Sequence, residues 1–142
     1  MAPALIGIGL AACVAAFARF IGFDRERSFY PLVLIIVASY YALFAAMAGA
    51  TSDMLPELLF VALFVACAGA GFRRSLWIVV AGLAAHGIFD FARGGFLPGS
   101  GVPVWWPSFC AAYDVTAAVL LAAVLLTDRR PRPAAIVLAP RR

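Results

Sequence analysis

The chain has few ionisable residues. Of its 142 residues only 13% are charged, it has a single histidine, and it has no lysine, so all eleven basic residues are arginine. Soluble domains carry about a quarter charged residues. A soluble core cannot hide a chain that is 65% hydrophobic, and this composition excludes an ordinary soluble domain. The arginines, which give a net charge of +4, lie between apolar runs rather than on a soluble face. Anionic lipid headgroups are therefore the expected partner, and nucleic acid is not.

Cysteine is also scarce. Cys13, Cys67 and Cys110 are far apart and each lies in an apolar run, which argues against a disulfide framework or a Cys-x-x-Cys metal motif. The segment Leu10-Ala11-Ala12-Cys13 matches the short pattern at which bacterial lipoproteins are processed. No basic residue precedes it, however, and the apolar run continues through Ala18. We therefore expect the segment to be retained as a first helix.

Sequence motifs of the common soluble enzymes are missing. The chain contains no GxSxG, HExxH, GxGxxG or Walker-type phosphate loop. It has no convincing internal repeat, and its apolar segments carry proline only near their ends, which counts against a transporter. Neither a reaction nor a transported substrate follows from the sequence.

Five apolar segments approach the roughly 20 residues that a helix needs to cross the hydrocarbon core. They predict an all-α membrane bundle of five transmembrane helices in one domain, residues 1–127, because a lone open sheet cannot span a bilayer. Thr51, Ser52 and Asp53 are candidate caps for a third helix with Pro56 in its first turn. The segments are Pro3 to Ile21, Tyr30 to Ala48, Leu55 to Phe72, Leu76 to Ala92 and Pro107 to Thr127, of which the third and fourth are short.

The arginines predict the orientation of the bundle. Ten of the eleven fall on one side of the five segments, and only Arg93 falls on the other. The positive-inside rule then places the N-terminus outside and the C-terminus in the cytoplasm of a bacterial inner membrane. The tail, residues 128–142, is rich in arginine and proline, so we expect it to lack a packed structure and to bind anionic headgroups.

A polar cluster is predicted from residue spacing. His86 and Asp90 are four apart in the fourth segment, as are Cys110 and Asp114 in the fifth, so each pair shares a helix face. In antiparallel helices His86 and Asp114 lie at matching depths, each roughly 10 Å from the outer end. An ionisable group at that depth is costly and is a candidate functional residue. Two further candidates, Glu57 and Arg93, lie near the same end.

Several roles for this outward-facing cluster stay open. In the first hypothesis the chain is a binding or accessory membrane protein, whose cluster holds a small ligand or pairs helices. Helix pairing alone would need only Asp90 with Arg93 and Asp114 with His86. The alternative is a membrane-embedded enzyme or a metal-binding protein, with His86, Asp90 and Asp114 as candidate metal ligands. Any cofactor is unknown, and a homo-oligomer or membrane partner is possible.

Aromatic residues beside the cluster carry simpler expectations. Trp105 and Trp106 precede the last helix and are expected to anchor the final loop at the membrane interface. Tyr40 and Tyr41, with Ser39, lie midway along the second segment and are expected to make hydrogen bonds between helices.

The pattern around the cluster resembles a known signature. The His86-x-x-x-Asp90 helix, the run from Gly101 to Cys110 with its Pro103-Val104-Trp105-Trp106, and then Asp114 are similar to those of an uncharacterised group of small bacterial multi-pass membrane proteins. The resemblance covers about the last two segments. It implies a membrane protein in which these two helices pair, and it implies no activity. Relatives in that group commonly have histidines where this chain has Arg93 and Gly94, which weakens a metal site here.

Overall fold

A computed structural model of the protein describes residues 1–95 and 101–127. The basic tail and its expected lack of structure lie outside these residues, as does part of the last loop. The described chain forms five α-helices and one short 3-10 turn, with no strand among the described residues. The helices are α1 (Ala2–Ile21), α2 (Phe29–Met47), α3 (Thr51–Arg73), α4 (Leu76–Gly95) and α5 (Trp106–Thr127).

All five helices are long and apolar enough to cross a membrane, as the apolar segments predict. Two details differ from the prediction. The helices α3 and α4 have 23 and 20 residues and are not short. The helix α3 also begins at Thr51, so Pro56 lies in its second turn rather than its first. Thr51, Ser52 and Asp53 are therefore helical residues, while Ala50 occupies the capping position without a side-chain hydrogen bond.

The helix α5 lies at the centre of the arrangement. It packs along α4 on one side and along α1 on the other, while α2 packs on α3 and α3 on α4. The helices α3 and α4 run antiparallel, because Glu57 near the start of α3 meets Arg93 near the end of α4. The helices α4 and α5 do too, because His86 meets Asp114 while Asp90, one turn later, lies near Cys110, one turn earlier. Among the described residues, no Cα atom of α1 lies within 8 Å of one in α2, although the two helices are consecutive in the chain. A gap separates α1 from α2, and α5 closes its inner side.

Glycine permits the closest helix approaches. A Cβ atom on Gly7 of α1 would collide with the backbone carbonyl of Phe109 on α5. A Cβ atom on Gly87 of α4 would lie 3.1 Å from the carbonyl oxygen of Ala111 and 3.0 Å from the side chain of Val115. Small residues at these positions let the two backbones approach closely. In lipid the hydrophobic effect does not hold helices together, so close van der Waals packing contributes much of the association energy. The contact at Gly87 matters most here, since it brings α4 onto α5 beside His86.

The two ends of the bundle differ in chemistry. Arg73 and Arg74 close α3 at one end, where Arg27 donates hydrogen bonds to the carbonyl oxygens of Phe72 and Gly71. We call this the arginine end. The other end, which we call the tryptophan end, carries Trp105 and Trp106 at the start of α5. Which end faces the cytoplasm stays a prediction of the positive-inside rule.

Candidate functional site

Three ionisable side chains meet in the middle of the α4–α5 interface. His86 Nδ1 lies 2.6 Å from Asp114 Oδ2, within hydrogen-bonding distance. The same nitrogen lies 3.3 Å from Oδ2 of Asp90, one turn further along α4. The spacing of four residues and the antiparallel packing account for this meeting. At about 1.5 Å per residue, His86 lies roughly 13 Å from the end of α4, well inside the apolar part of the bundle.

The three side chains are closed off from the surroundings of the protein. His86 is 1% exposed, and Asp90 and Asp114 are both 0% exposed. Two rings line the imidazole, since those of Phe64 and Phe89 have centroids 4.7 and 5.9 Å from that of His86. The site is therefore a small polar centre inside an apolar wall.

Hydrogen bonding inside the centre is incomplete. Both oxygens of Asp90 and the Oδ1 atom of Asp114 are buried and make no hydrogen bond of standard geometry, although the Tyr41 hydroxyl lies beside the Asp90 carboxylate. A single N–H on Nδ1 can serve only one carboxylate well, and it serves Asp114. Buried polar atoms are almost always paired, and an unpaired one costs about 1–3 kcal/mol or more if charged. These oxygens need further partners, which a cation, or a proton shared by the two carboxylates, would supply together with the Tyr41 hydroxyl.

Charge counting leads to the same conclusion. With Asp90 and Asp114 ionised and His86 neutral, the centre carries two negative charges in a low-dielectric region. Protonating His86 would still leave one. A buried charge without a partner is strongly disfavoured, particularly at membrane depth. Either a cation or additional protons must neutralise the carboxylates.

A divalent metal ion fits the spacing of the donors. One donor atom from each of His86, Asp90 and Asp114 can be chosen so that all lie within 4.8 Å of one another. Two ligand atoms about 2.0–2.2 Å from a tetrahedral ion lie roughly 3.3–3.6 Å apart. The separation between His86 Nδ1 and Asp90 Oδ2 is already 3.3 Å. Asp114 would need to withdraw by less than about 1 Å to meet the same geometry.

Glu57 and Arg93 form a second buried pair rather than joining the three. Arg93 donates from a terminal guanidinium nitrogen to Glu57 Oε1 over 2.5 Å, with the two side chains 8% and 5% exposed. The guanidinium carbon lies 4.6 Å from the ring centroid of Tyr41 and 5.5 Å from that of Phe89. Pairing of Arg93 with Asp90, three residues earlier, was therefore wrong. The closer carboxylate for Arg93 comes from α3, which packs beside α4.

Cys110 is buried one turn from Asp114 on α5, at 2% exposure. Among the described residues, the group with metal-ligand spacing comprises His86, Asp90 and Asp114 and does not include this thiol. Cys110 instead lines the gap between α1 and α2. The thiol therefore lies between this gap and the carboxylates of Asp90 and Asp114.

Tyr41 is a site residue whose part the sequence did not indicate. Its hydroxyl is buried beside the Asp90 carboxylate. Its ring packs edge to face on that of Phe89, with centroids 5.8 Å apart, and stacks on the guanidinium of Arg93. The expectation of a hydrogen bond between helices was wrong for Ser39, which bonds the carbonyl of Ile35 in its own helix. Tyr41 therefore contacts Arg93 of the buried ion pair through its ring and Asp90 of the ionisable group through its hydroxyl.

Comparisons with known proteins give no relative. No family model, no curated protein and no solved structure matches the chain. The similarity of the His86 and Trp105 motifs to a group of small bacterial membrane proteins therefore stays a prediction. Function has to be argued from the site itself.

Proposed function

We propose that this multi-pass membrane protein binds one divalent metal ion inside the helical bundle, through His86, Asp90 and Asp114. The observation that carries the proposal is the fully buried group of one imidazole and two carboxylates, whose donor atoms lie within 4.8 Å of one another. A divalent ion would neutralise both carboxylates and satisfy their free oxygens. The protein would therefore be a metal-binding protein of a bacterial inner membrane.

The donor types limit which metal is expected. Imidazole nitrogen suits zinc, iron and nickel, while carboxylate oxygen suits manganese and magnesium, and one nitrogen with two carboxylates fits Zn²⁺ or Mn²⁺. Three protein ligands leave a fourth position, as in sites that exchange a water or a substrate. An ion also suits a closed site better than an organic ligand does, since the three side chains are at most 1% exposed.

The proposal is tested by the metal content of the purified protein. Wild-type protein in detergent, stripped with chelator and reloaded with Zn²⁺ or Mn²⁺, should hold about one ion per chain by elemental mass spectrometry. Asp90→Asn replaces one charged ligand with a neutral side chain of the same size, so it should lose the metal while remaining folded. Glu26→Gln is the matched control, because it removes an exposed carboxylate far from the site.

Two results would contradict the proposal. Wild-type protein that stays folded but holds no metal would rule it out. Equal metal in wild type, Asp90→Asn and Glu26→Gln would show that any bound ion lies elsewhere.

A second role as a helix-pairing centre is favoured by one observation. The 2.6 Å hydrogen bond between His86 and Asp114 joins α4 to α5 without any ion. Hydrogen bonds between membrane helices contribute about 0.5–2 kcal/mol. In that role His86→Ala would lower thermal stability in the absence of metal, and added metal would not change the unfolding temperature of the wild type.

An enzyme that uses the same residues is the remaining alternative. A general base oriented by a carboxylate needs a substrate within hydrogen-bonding distance. His86 and Asp114 have the first part of that arrangement, but their burial leaves no exposed surface at which a substrate could bind. The geometry therefore supports ion binding better than catalysis.

A further inference from the structure

The side chain of Tyr41 extends from α2 to the part of α4 that carries Asp90. It is 2% exposed. Its ring lies 5.8 Å from that of Phe89 between centroids, and the guanidinium carbon of Arg93 lies 4.6 Å from its own centroid. Phe89 immediately precedes Asp90 in the chain, and Arg93 follows it by three residues. Tyr41 therefore packs on α4 at positions on both sides of the Asp90 carboxylate.

The phenol of Tyr41 is the type of group that this carboxylate lacks. Its hydroxyl is buried beside Asp90, and neither the hydroxyl nor the two Asp90 oxygens make another hydrogen bond of standard geometry. A phenol has one O–H donor, whereas an ionised carboxylate can only accept. A hydrogen bond from the hydroxyl to Asp90 gives both groups a partner, as buried polar groups require.

The surroundings of Tyr41 hold its hydroxyl in place. The ring packs edge to face on Phe89 and lies under the cation of Arg93, so it has little room to turn. Arg93 is held in turn by its buried ion pair with Glu57. The hydroxyl is therefore directed at Asp90 before any ion binds.

A hydrogen bond to one oxygen of Asp90 limits how this residue can bind a metal ion. The other oxygen is left for the ion, so His86, Asp90 and Asp114 supply one ligand atom each. Three single-atom ligands with one open position form the tetrahedral arrangement typical of Zn²⁺. Mn²⁺ prefers octahedral sites rich in oxygen, and it would gain from a carboxylate that binds through both oxygens. A phenol held against Asp90 thus favours Zn²⁺.

From these observations we infer that Tyr41 is a positioning residue, which fixes Asp90 as a one-oxygen ligand and makes the site selective for Zn²⁺ over Mn²⁺. Its hydroxyl donates to the Asp90 oxygen that does not bind the ion, and the phenol itself does not touch the ion. This role rests on the proposed metal site and names the ion that the site selects.

Two neighbouring tyrosines on α2 form a matched test. Tyr41→Phe and Tyr40→Phe each remove one hydroxyl, but the ring of Tyr40 packs on Trp106 of α5. Tyr41→Phe keeps the ring on Phe89 and Arg93 and should remain folded. Metal-stripped protein in detergent is titrated with Zn²⁺ in competition with a chelator, and with Mn²⁺ by the paramagnetic resonance signal of the free ion.

The two metals should respond differently. Tyr41→Phe should bind Zn²⁺ about 10–100-fold more weakly, because an outer hydrogen bond to a metal ligand is lost. Its loss of Mn²⁺ affinity should be smaller, since the freed Asp90 can bind Mn²⁺ through both oxygens. Tyr40→Phe should bind both metals like the wild type. Thermal unfolding of the metal-free proteins checks that each variant is folded.

Co²⁺ in place of Zn²⁺ reports the number of ligands. Four-coordinate Co²⁺ absorbs visible light more strongly than five- or six-coordinate Co²⁺, so wild type and Tyr40→Phe should show intense bands and Tyr41→Phe weaker ones. The wild-type spectrum is a test even if Tyr41→Phe fails to fold, because five- or six-coordinate Co²⁺ in wild type would overturn the inference.

The results also distinguish this role from the metal site itself. Folded wild type that binds no metal would overturn both. Wild type that binds Zn²⁺ with the same affinity as Tyr41→Phe would overturn the role of Tyr41 and leave the metal site standing. Equal losses of Zn²⁺ and Mn²⁺ affinity in folded Tyr41→Phe would also overturn it, since a general support or a direct ligand would act on both metals.

Discussion

Removal of the charge on Glu57 is expected to destabilise the bundle strongly. Arg93 would stay buried, at 8% exposure, without the carboxylate that lies 2.5 Å from its guanidinium. Breaking a buried ion pair from one side costs about 3–5 kcal/mol in soluble proteins. For Glu57→Gln we expect about 3 kcal/mol, at the lower end, because the amide oxygen of glutamine still accepts a hydrogen bond and the rings of Tyr41 and Phe89 still stack on the cation.

The assay is reversible unfolding in mixed micelles with increasing sodium dodecyl sulfate, followed by far-UV circular dichroism. Glu26→Gln, an exposed carboxylate, serves as the control and should change the unfolding free energy by no more than about 0.5 kcal/mol. The double variant Glu57→Gln with Arg93→Met should recover much of the loss, since it leaves no buried charge unpaired. A Glu57→Gln protein as stable as the control would refute the reasoning, as would a double variant less stable than either single one.

Three other outcomes are expected. Gly87→Leu should push α4 away from α5 and lower the free energy of unfolding by about 1–3 kcal/mol. Gly69→Leu is the control and should have no such effect, because a Cβ atom there meets nothing within 4 Å. Equal thermal unfolding of the two variants would contradict the packing argument. Asp114→Asn should cost about 0.5–2 kcal/mol in metal-free protein, and an unchanged unfolding curve would remove any helix-pairing role. Cys110→Ala should take up metal like the wild type in elemental analysis, and a metal-free variant would make the thiol a ligand.

Hydropathy and helical spacing predicted the parts of the molecule that local sequence determines. Each of the five apolar segments became a helix, because in lipid the backbone must satisfy its own hydrogen bonds. The pairing of His86 with Asp114 also followed, since antiparallel neighbours place residues at equal depth from the same end side by side.

Features that depend on which helices pack together could not be predicted. Arg93 had two possible partners, Asp90 on its own helix and Glu57 on α3, and only the packing of α3 on α4 selects Glu57. The helix α3 begins earlier than its apolar run because polar Thr51 to Asp53 can be helical at the membrane edge. The gap between α1 and α2 likewise arises from the preference of both α1 and α4 for α5. No local sequence pattern encodes that preference.

X-ray absorption at the zinc edge, measured on wild-type protein loaded with one equivalent of Zn²⁺ in detergent, tests the proposed site most directly. We expect a first shell of nitrogen and oxygen atoms at about 2.0–2.1 Å, with the outer scattering of a single imidazole ring and no sulfur. A sulfur shell near about 2.3 Å would replace the proposed ligand set with one that includes a cysteine. A spectrum without imidazole scattering, or folded protein that takes up no zinc or manganese at all, would contradict the assignment of His86, Asp90 and Asp114 as a metal site.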